Sequence, residues 1–181
     1  MSIEKLVSLV HPPVRPLERG DAKAWATIQR QVGVTLSKDL YEFAMRYGTG
    51  QFAGDLQVFN PFSKSYLLIL KVMREQLELT RSLGLGGYLD RFLENLGFES
   101  GTGQPGLFPW GRDSNGNRYY WLTDGEPENW PIITATEESE FAEWQMPMTQ
   151  FLANLFSNDI VGFLAPEPLA AKELVFQSKL Y

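Results

Sequence analysis

The chain has 181 residues, 44% hydrophobic and 13% aromatic, with no cysteine and one histidine. That suits one well-buried domain, and it excludes disulfides, thiolate–zinc sites and a cysteine nucleophile. Net charge is −6, and residues 105–160 hold nine carboxylates against Arg112 and Arg118, a balance that repels phosphate backbones and favours a basic partner.

Residues 1–20 read as a lead-in. Ile3 to Val10 can form a short helix with Leu6, Leu9 and Val10 on one face. His11-Pro12-Pro13 ends it, because proline lacks the amide hydrogen and restricts the residue before it. Glu4 and Lys5 break the apolar stretch, so it does not read as a signal peptide. The lone His11, in this Pro-rich segment, cannot anchor a histidine metal cluster or a Ser-His-Asp triad. Val14 to Gly20 is expected to run extended across the surface.

Asp21 can cap a helix to Val32, with Trp25, Ile28 and Val32 on one face and Gly33 ending it. A second helix is predicted over Lys38 to Tyr47, with Ser37 as N-cap and Asp39 in its first turn. Leu40, Phe43, Ala44 and Tyr47 make its apolar stripe, and Gly48 suits the position just past its end. Gly48 to Gly54 reads as a loop, and Leu56 to Phe59 as a strand stopped by Asn60-Pro61. From Ser63, a longer helix to about Leu83 turns Tyr66, Leu67, Leu70, Met73 and Leu77 inward. A shorter helix, Tyr88 to Leu96, follows.

Glu99 to Gly106 is a connection. It spells G-x-G-x-x-G from Gly101, but Pro105 and Phe108-Pro109 forbid the helix N-terminus that a dinucleotide site needs. Leu107 to Trp130 is the centre of the chain. Asn115-Gly116 between aromatic-rich runs is a strong hairpin signal, and a turn at Asp124-Gly125-Glu126-Pro127 leads to the strand Pro131 to Thr134. Trp110, Trp121 and Trp130 are expected in the core, each indole N–H finding a nearby carbonyl. Asp113 to Asn117, with Asp124 at the twelfth position, echoes a calcium loop. Arg118 stands where that loop needs glycine, and Asp124 where it needs a bidentate Glu, so a turn closed by Asx side chains is expected instead.

Ser139 to Met146 alternates like an edge strand whose carboxylates discourage further pairing. Pro147 can start a last helix with Met148, Phe151, Leu152, Leu155 and Phe156 inward. Residues 161–181 form a C-terminal extension, in which Leu169 to Phe176 is a short helix or a strand. No apolar run reaches the ~20 residues of a membrane span. The chain is thus expected to be α+β, a single domain over residues 21–160 with a mainly antiparallel or mixed sheet flanked by helices.

The order of these pieces resembles the SUKH superfamily, which includes a fungal cell-wall synthesis regulator and many bacterial toxin-immunity proteins. The resemblance rests on Leu36-Ser37-Lys38-Asp39-Leu40, Tyr47-Gly48, Pro109-Trp110-Gly111, Asp113 to Gly116, Tyr119 to Trp121, Gly125 to Trp130 and Phe151-Leu152. It implies a cytoplasmic immunity protein that binds and neutralises a cognate toxin such as a nuclease or deaminase, while the absent cysteine, the single linker histidine and the lack of a nucleophile motif lead us to expect a non-enzymatic chain without cofactor or metal. The alternative it implies is a regulatory scaffold like the fungal members, which usually carry long disordered flanks. The residues add an acidic face suited to a basic toxin, with Asp124, Glu126, Glu128, Glu137, Glu138 and Glu140 as candidate contacts. The carboxylates could in principle serve as general acid and base, but no sequence feature buries one or fixes their spacing. There is no G-x-S-x-G, P-loop, H-E-x-x-H or kinase signature.

Overall fold

A computed structural model describes residues 2–82, 106–136, 140–160 and 174–180. The predicted helix Tyr88 to Leu96 and most of the Gly101 to Gly106 motif lie outside these residues. Five helices are described: α1 (Ser2–Leu9), α2 (Ala22–Val32), α3 (Lys38–Tyr47), α4 (Tyr66–Ser82) and α5 (Met148–Phe156). Seven strands form one sheet: β1 (Gly50–Phe52), β2 (Leu56–Val58), β3 (Leu107–Arg112), β4 (Arg118–Leu122), β5 (Ile132–Ala135), β6 (Phe141–Trp144) and β7 (Phe176–Ser178). Their order is β6-β5-β4-β3-β2-β1-β7, and every pairing is antiparallel. The fold is α+β, as expected.

The β3–β4 hairpin is the centre of this sheet. Gly116 takes φ 83° in its turn, and Asp113 closes it. One carboxylate oxygen accepts the N–H groups of Asn115 and Asn117, and the other accepts Asn117 Nδ2 and the Tyr119 hydroxyl. This is the Asx-closed turn, with all four donors supplied by the hairpin itself. A bulge falls between Pro109 and Gly111. There β2 pairs only with Gly111 and Arg112, so the proline sits where the neighbouring ladder has ended. A Cβ at Gly111 would meet the Gln57 carbonyl at 2.9 Å, which is why this strand carries glycine against β2.

One face of the sheet packs on helices. Trp110 and Tyr119 meet Phe151 of α5 at ring distances of 6.0 and 6.1 Å. Phe43 and Tyr47 of α3 meet Phe52. α1 lies across α5 and α3, burying Ile3, Leu6 and Val10. The lead-in then passes Gly48, where Leu17 forms an isolated parallel bridge. Tyr120 and Ile133, on the opposite face, are also buried.

Four local expectations shift. Leu67, expected inward on α4, is exposed, because the buried stripe there is Tyr66, Leu70, Met73 and Leu77 alone. Gly50–Phe52 is a strand rather than part of a loop, because β2 and β7 pair with it from both sides. α4 starts at Tyr66 rather than just after Ser63. The Ser63 hydroxyl and carbonyl take up the N–H groups of Ser65 and Tyr66, which makes a turn ahead of the helix. The extension contributes a strand, β7, while its residues 161–173 lie outside the described set.

Candidate partner-binding surface

The β4–β5 connection carries Asp124, Glu126 and Glu128. It is pinned along its length. Leu122 and Thr123 donate to Pro131 and Gly106, Asn129 donates to Glu126 through a 3-10 turn at Pro127–Asn129, and the Trp130 indole donates to Gly125 at 3.1 Å. Trp130 is the buried post of this loop, at 7% exposure. Trp110 and Trp121 are likewise core residues, though Trp110 Nε1 has no hydrogen-bond partner among the described residues.

The loop presents its three carboxylates differently. Asp124 and Glu126 are exposed, and neither forms an ion pair among the described residues. Glu128 is exposed too, but its Oε1 accepts the Lys38 N–H at the start of α3. It therefore has a structural task alongside any role in contact.

Glu140 lies elsewhere. Ile132 pairs with Trp121 beside the pinned loop, whereas Ala135 pairs with Arg118 at the hairpin end. Glu140 precedes β6, whose Phe141 pairs with Ala135. The length of β5, three residue steps or about 10 Å, therefore separates Glu140 from the loop holding Asp124 and Glu126. Glu137 and Glu138 lie outside the described residues. The predicted contacts are thus divided between two ends of the sheet. Register decides this, and composition carries no sign of it.

Helix N-termini on the loop side are tied by carboxylates. Asp39 in the first turn of α3 accepts both the N–H and the hydroxyl of Thr149, at 2.9 and 2.6 Å. Pro147 offers no side-chain cap to α5, so α3 supplies one from outside the helix. Its sequence signal was partial: Asp39 reads as a favourable first-turn residue of its own helix.

Among the described residues, no group of three or more His, Cys, Asp or Glu side chains is placed to hold a metal, and no helix is long and apolar enough to cross a membrane. The geometry is that of a sheet and its helices holding a hydrogen-bonded acidic loop at one end. A family model described as SMI1-KNR4 cell-wall, SUKH_6, matches residues 22–152. The chain belongs to this SUKH family. No curated protein and no solved structure matches it.

Proposed function

We propose that this protein is a non-enzymatic, cytoplasmic immunity protein that binds and neutralises a cognate toxin through acidic loops. Family membership is consistent with toxin immunity or with a regulatory role of the SMI1-KNR4 kind. The observation that favours immunity is the pinned β4–β5 loop, which holds Asp124 and Glu126 exposed and, among the described residues, outside any ion pair. A pre-ordered loop loses little conformational entropy on binding. Two exposed carboxylates on a chain of net charge −6 would attract a basic nuclease or deaminase and speed its association. Glu128 borders this surface. Glu140, before β6, supplies a second acidic position toward the hairpin end, and Glu137 and Glu138 stay candidates on sequence grounds alone.

The test is co-expression with the C-terminal domain of a large secreted protein encoded beside this gene. Rescue of growth and a stable complex are expected. Asp124→Lys with Glu126→Lys should weaken that complex most at low salt, since exposed charges are screened at higher ionic strength. No rescue with any neighbouring toxin domain would favour the regulatory scaffold. A complex indifferent to both charge reversals would move the interface away from this loop.

A further inference from the structure

The hairpin end of the sheet carries a different chemistry. Register places Gln177 opposite Gln51, Gln51 opposite Gln57, Gln57 opposite Arg112, and Arg112 opposite Arg118. Residues directly opposite in an antiparallel sheet project from the same face. Five adjacent strands therefore build one polar row on the face opposite α3 and α5. Four of its members, Gln51, Gln57, Arg112 and Arg118, line a cleft of about 460 Å³, which Gln76 of α4 and Lys179 also border.

The row is electrostatically unfinished. Arg112 and Arg118 are direct cross-strand neighbours, an arrangement that destabilises a sheet when the charges are alike. Among the described residues, none of the ion pairs involves Arg112, Arg118 or Lys179. Two carboxylates border the cleft, but both serve its walls. Asp113 is filled by four donors of its own turn, and Asp55 accepts the N–H and hydroxyl of Ser114. The Arg118 charge opposes the rise that burial imposes on the Tyr120 hydroxyl pKa. Arg112 Nε donates to Gln57 Oε1 at 3.0 Å. Gln57 is 5% exposed, yet its Nε2 has no partner among the described residues, which is costly for a buried donor.

We propose that this cleft binds a small anion bearing a carboxylate or phosphate group, held by the guanidinium groups of Arg112 and Arg118. Guanidinium forks match the paired oxygens of either group. The anion offsets the repulsion between the two arginines, and the glutamine row provides donors and acceptors for the rest of the ligand. A long polyanion is disfavoured, because the chain as a whole carries −6. This site is independent of the acidic loop, which lies at the other end of the sheet.

The full chain is titrated separately with inorganic phosphate and with succinate at constant ionic strength, following the Arg Nε–H and Gln side-chain NMR signals. A saturable shift at Arg112 and Gln57 is expected, and the tighter probe names the ligand class. Arg112→Gln with Arg118→Gln should weaken binding at least about tenfold, while Arg30→Gln, on α2, leaves it unchanged. Gln57→Glu, which supplies the missing carboxylate from within, should raise the Tm and also weaken binding of the added anion. The proposal is overturned if neither probe saturates, or if the affinity survives both the double arginine variant and Gln57→Glu.

Discussion

The carboxylate of Glu128 accepts the Lys38 backbone N–H at 2.8 Å, joining the β4–β5 loop to the first turn of α3 across 90 residues of sequence. The first N–H groups of a helix have no partner within it, and a carboxylate there also meets the positive end of the helix dipole. Ser37 meets the same need locally, accepting the Leu40 N–H at 3.3 Å. Glu128→Ala is therefore expected to cost about 1 kcal/mol in urea denaturation. Asp124→Ala, with no such bond, should be neutral within about 0.5 kcal/mol. Equal effects would remove the distinction between the capping and the free carboxylates of this loop.

Asp39 makes the tie between α3 and α5. Its two oxygens hold Thr149 by backbone and side chain, next to a proline that leaves α5 without a cap of its own. Thr149 is buried, so losing the carboxylate removes two hydrogen bonds made out of reach of water. Asp39→Ala should cost about 2 kcal/mol and raise hydrogen exchange in the first turn of α5. Asp39→Asn, which keeps one acceptor, should recover part of the loss. If Asp39→Ala left the stability unchanged, the cap would carry no energetic weight.

Much of this fold was legible in local chemistry. Ser37 and Gly48 bound α3 where their side chain and its absence predict, and Asp113 with Asn115-Gly116 sets the hairpin. What was not legible depends on residues far apart in the chain. Gly50–Phe52 has little strand character and becomes a strand because β2 and β7 flank it. The candidate carboxylates were visible as an acidic excess, but β5 register divides them. The polar row was hidden for the same reason: Gln57 and Arg112 are 55 positions apart, and only the sheet order makes them neighbours.

Glu18 predicts a pH response. It holds a left-handed φ of 51°, unusual for a side-chain-bearing residue. Its carboxylate accepts Thr49 Oγ1 at 2.7 Å and the Lys64 N–H at 3.1 Å, and its carbonyl accepts Asn60 Nδ2. Burial alone would push its carboxyl up, but the hydrogen bonds from Thr49, Lys64 and Ser63, with the Lys64 charge, together outweigh it and hold the pKa below the ordinary glutamate value. The folded value lies under the unfolded one, so the stabilisation is complete well above pH 4.5 and is lost as pH falls through the folded pKa. Glu18→Ala should cost about 1 kcal/mol at pH 7, and the two proteins should converge in stability as the solution is acidified below the usual carboxylate range. A constant difference across that range would show that the ionised carboxylate contributes nothing.

The lead-in helix lies outside the residues matched by the family model, yet it is well anchored. Leu6 is fully buried, the Tyr47 hydroxyl donates to the Val10 carbonyl at 2.6 Å, and Lys5 reaches Asp159 at 3.1 Å. The ion pair is exposed on both sides and counts for little; the apolar face carries the energy. Leu6→Ala should therefore cost about 2–5 kcal/mol, against under about 0.5 kcal/mol for Lys5→Ala. Thermal melts of the two variants test this, and a small loss in the leucine variant would mean that α1 rests on the core without contributing to it.

β7 docks on β1 through an absence. A Cβ at Gly50 would lie 2.4 Å from the Gln177 carbonyl and 2.5 Å from the Phe176 ring. The ring could swing away, but the carbonyl belongs to the ladder and cannot move without breaking the pairing of Gly50 with Ser178 and Gln51 with Gln177. Phe176 in turn packs on Tyr47 and Phe52 at 5.1 and 4.9 Å, so the strand's single buried side chain depends on that close approach. Gly50→Ala should displace β7 while leaving β1 paired with β2. Hydrogen exchange is then expected to accelerate over residues 176–178 and to hold steady in β3 and β4. Phe176→Ala should loosen the same strand by the opposite route, removing the anchor rather than blocking the seat. If exchange in β7 were unaffected by either change, its place in the sheet would not depend on this contact.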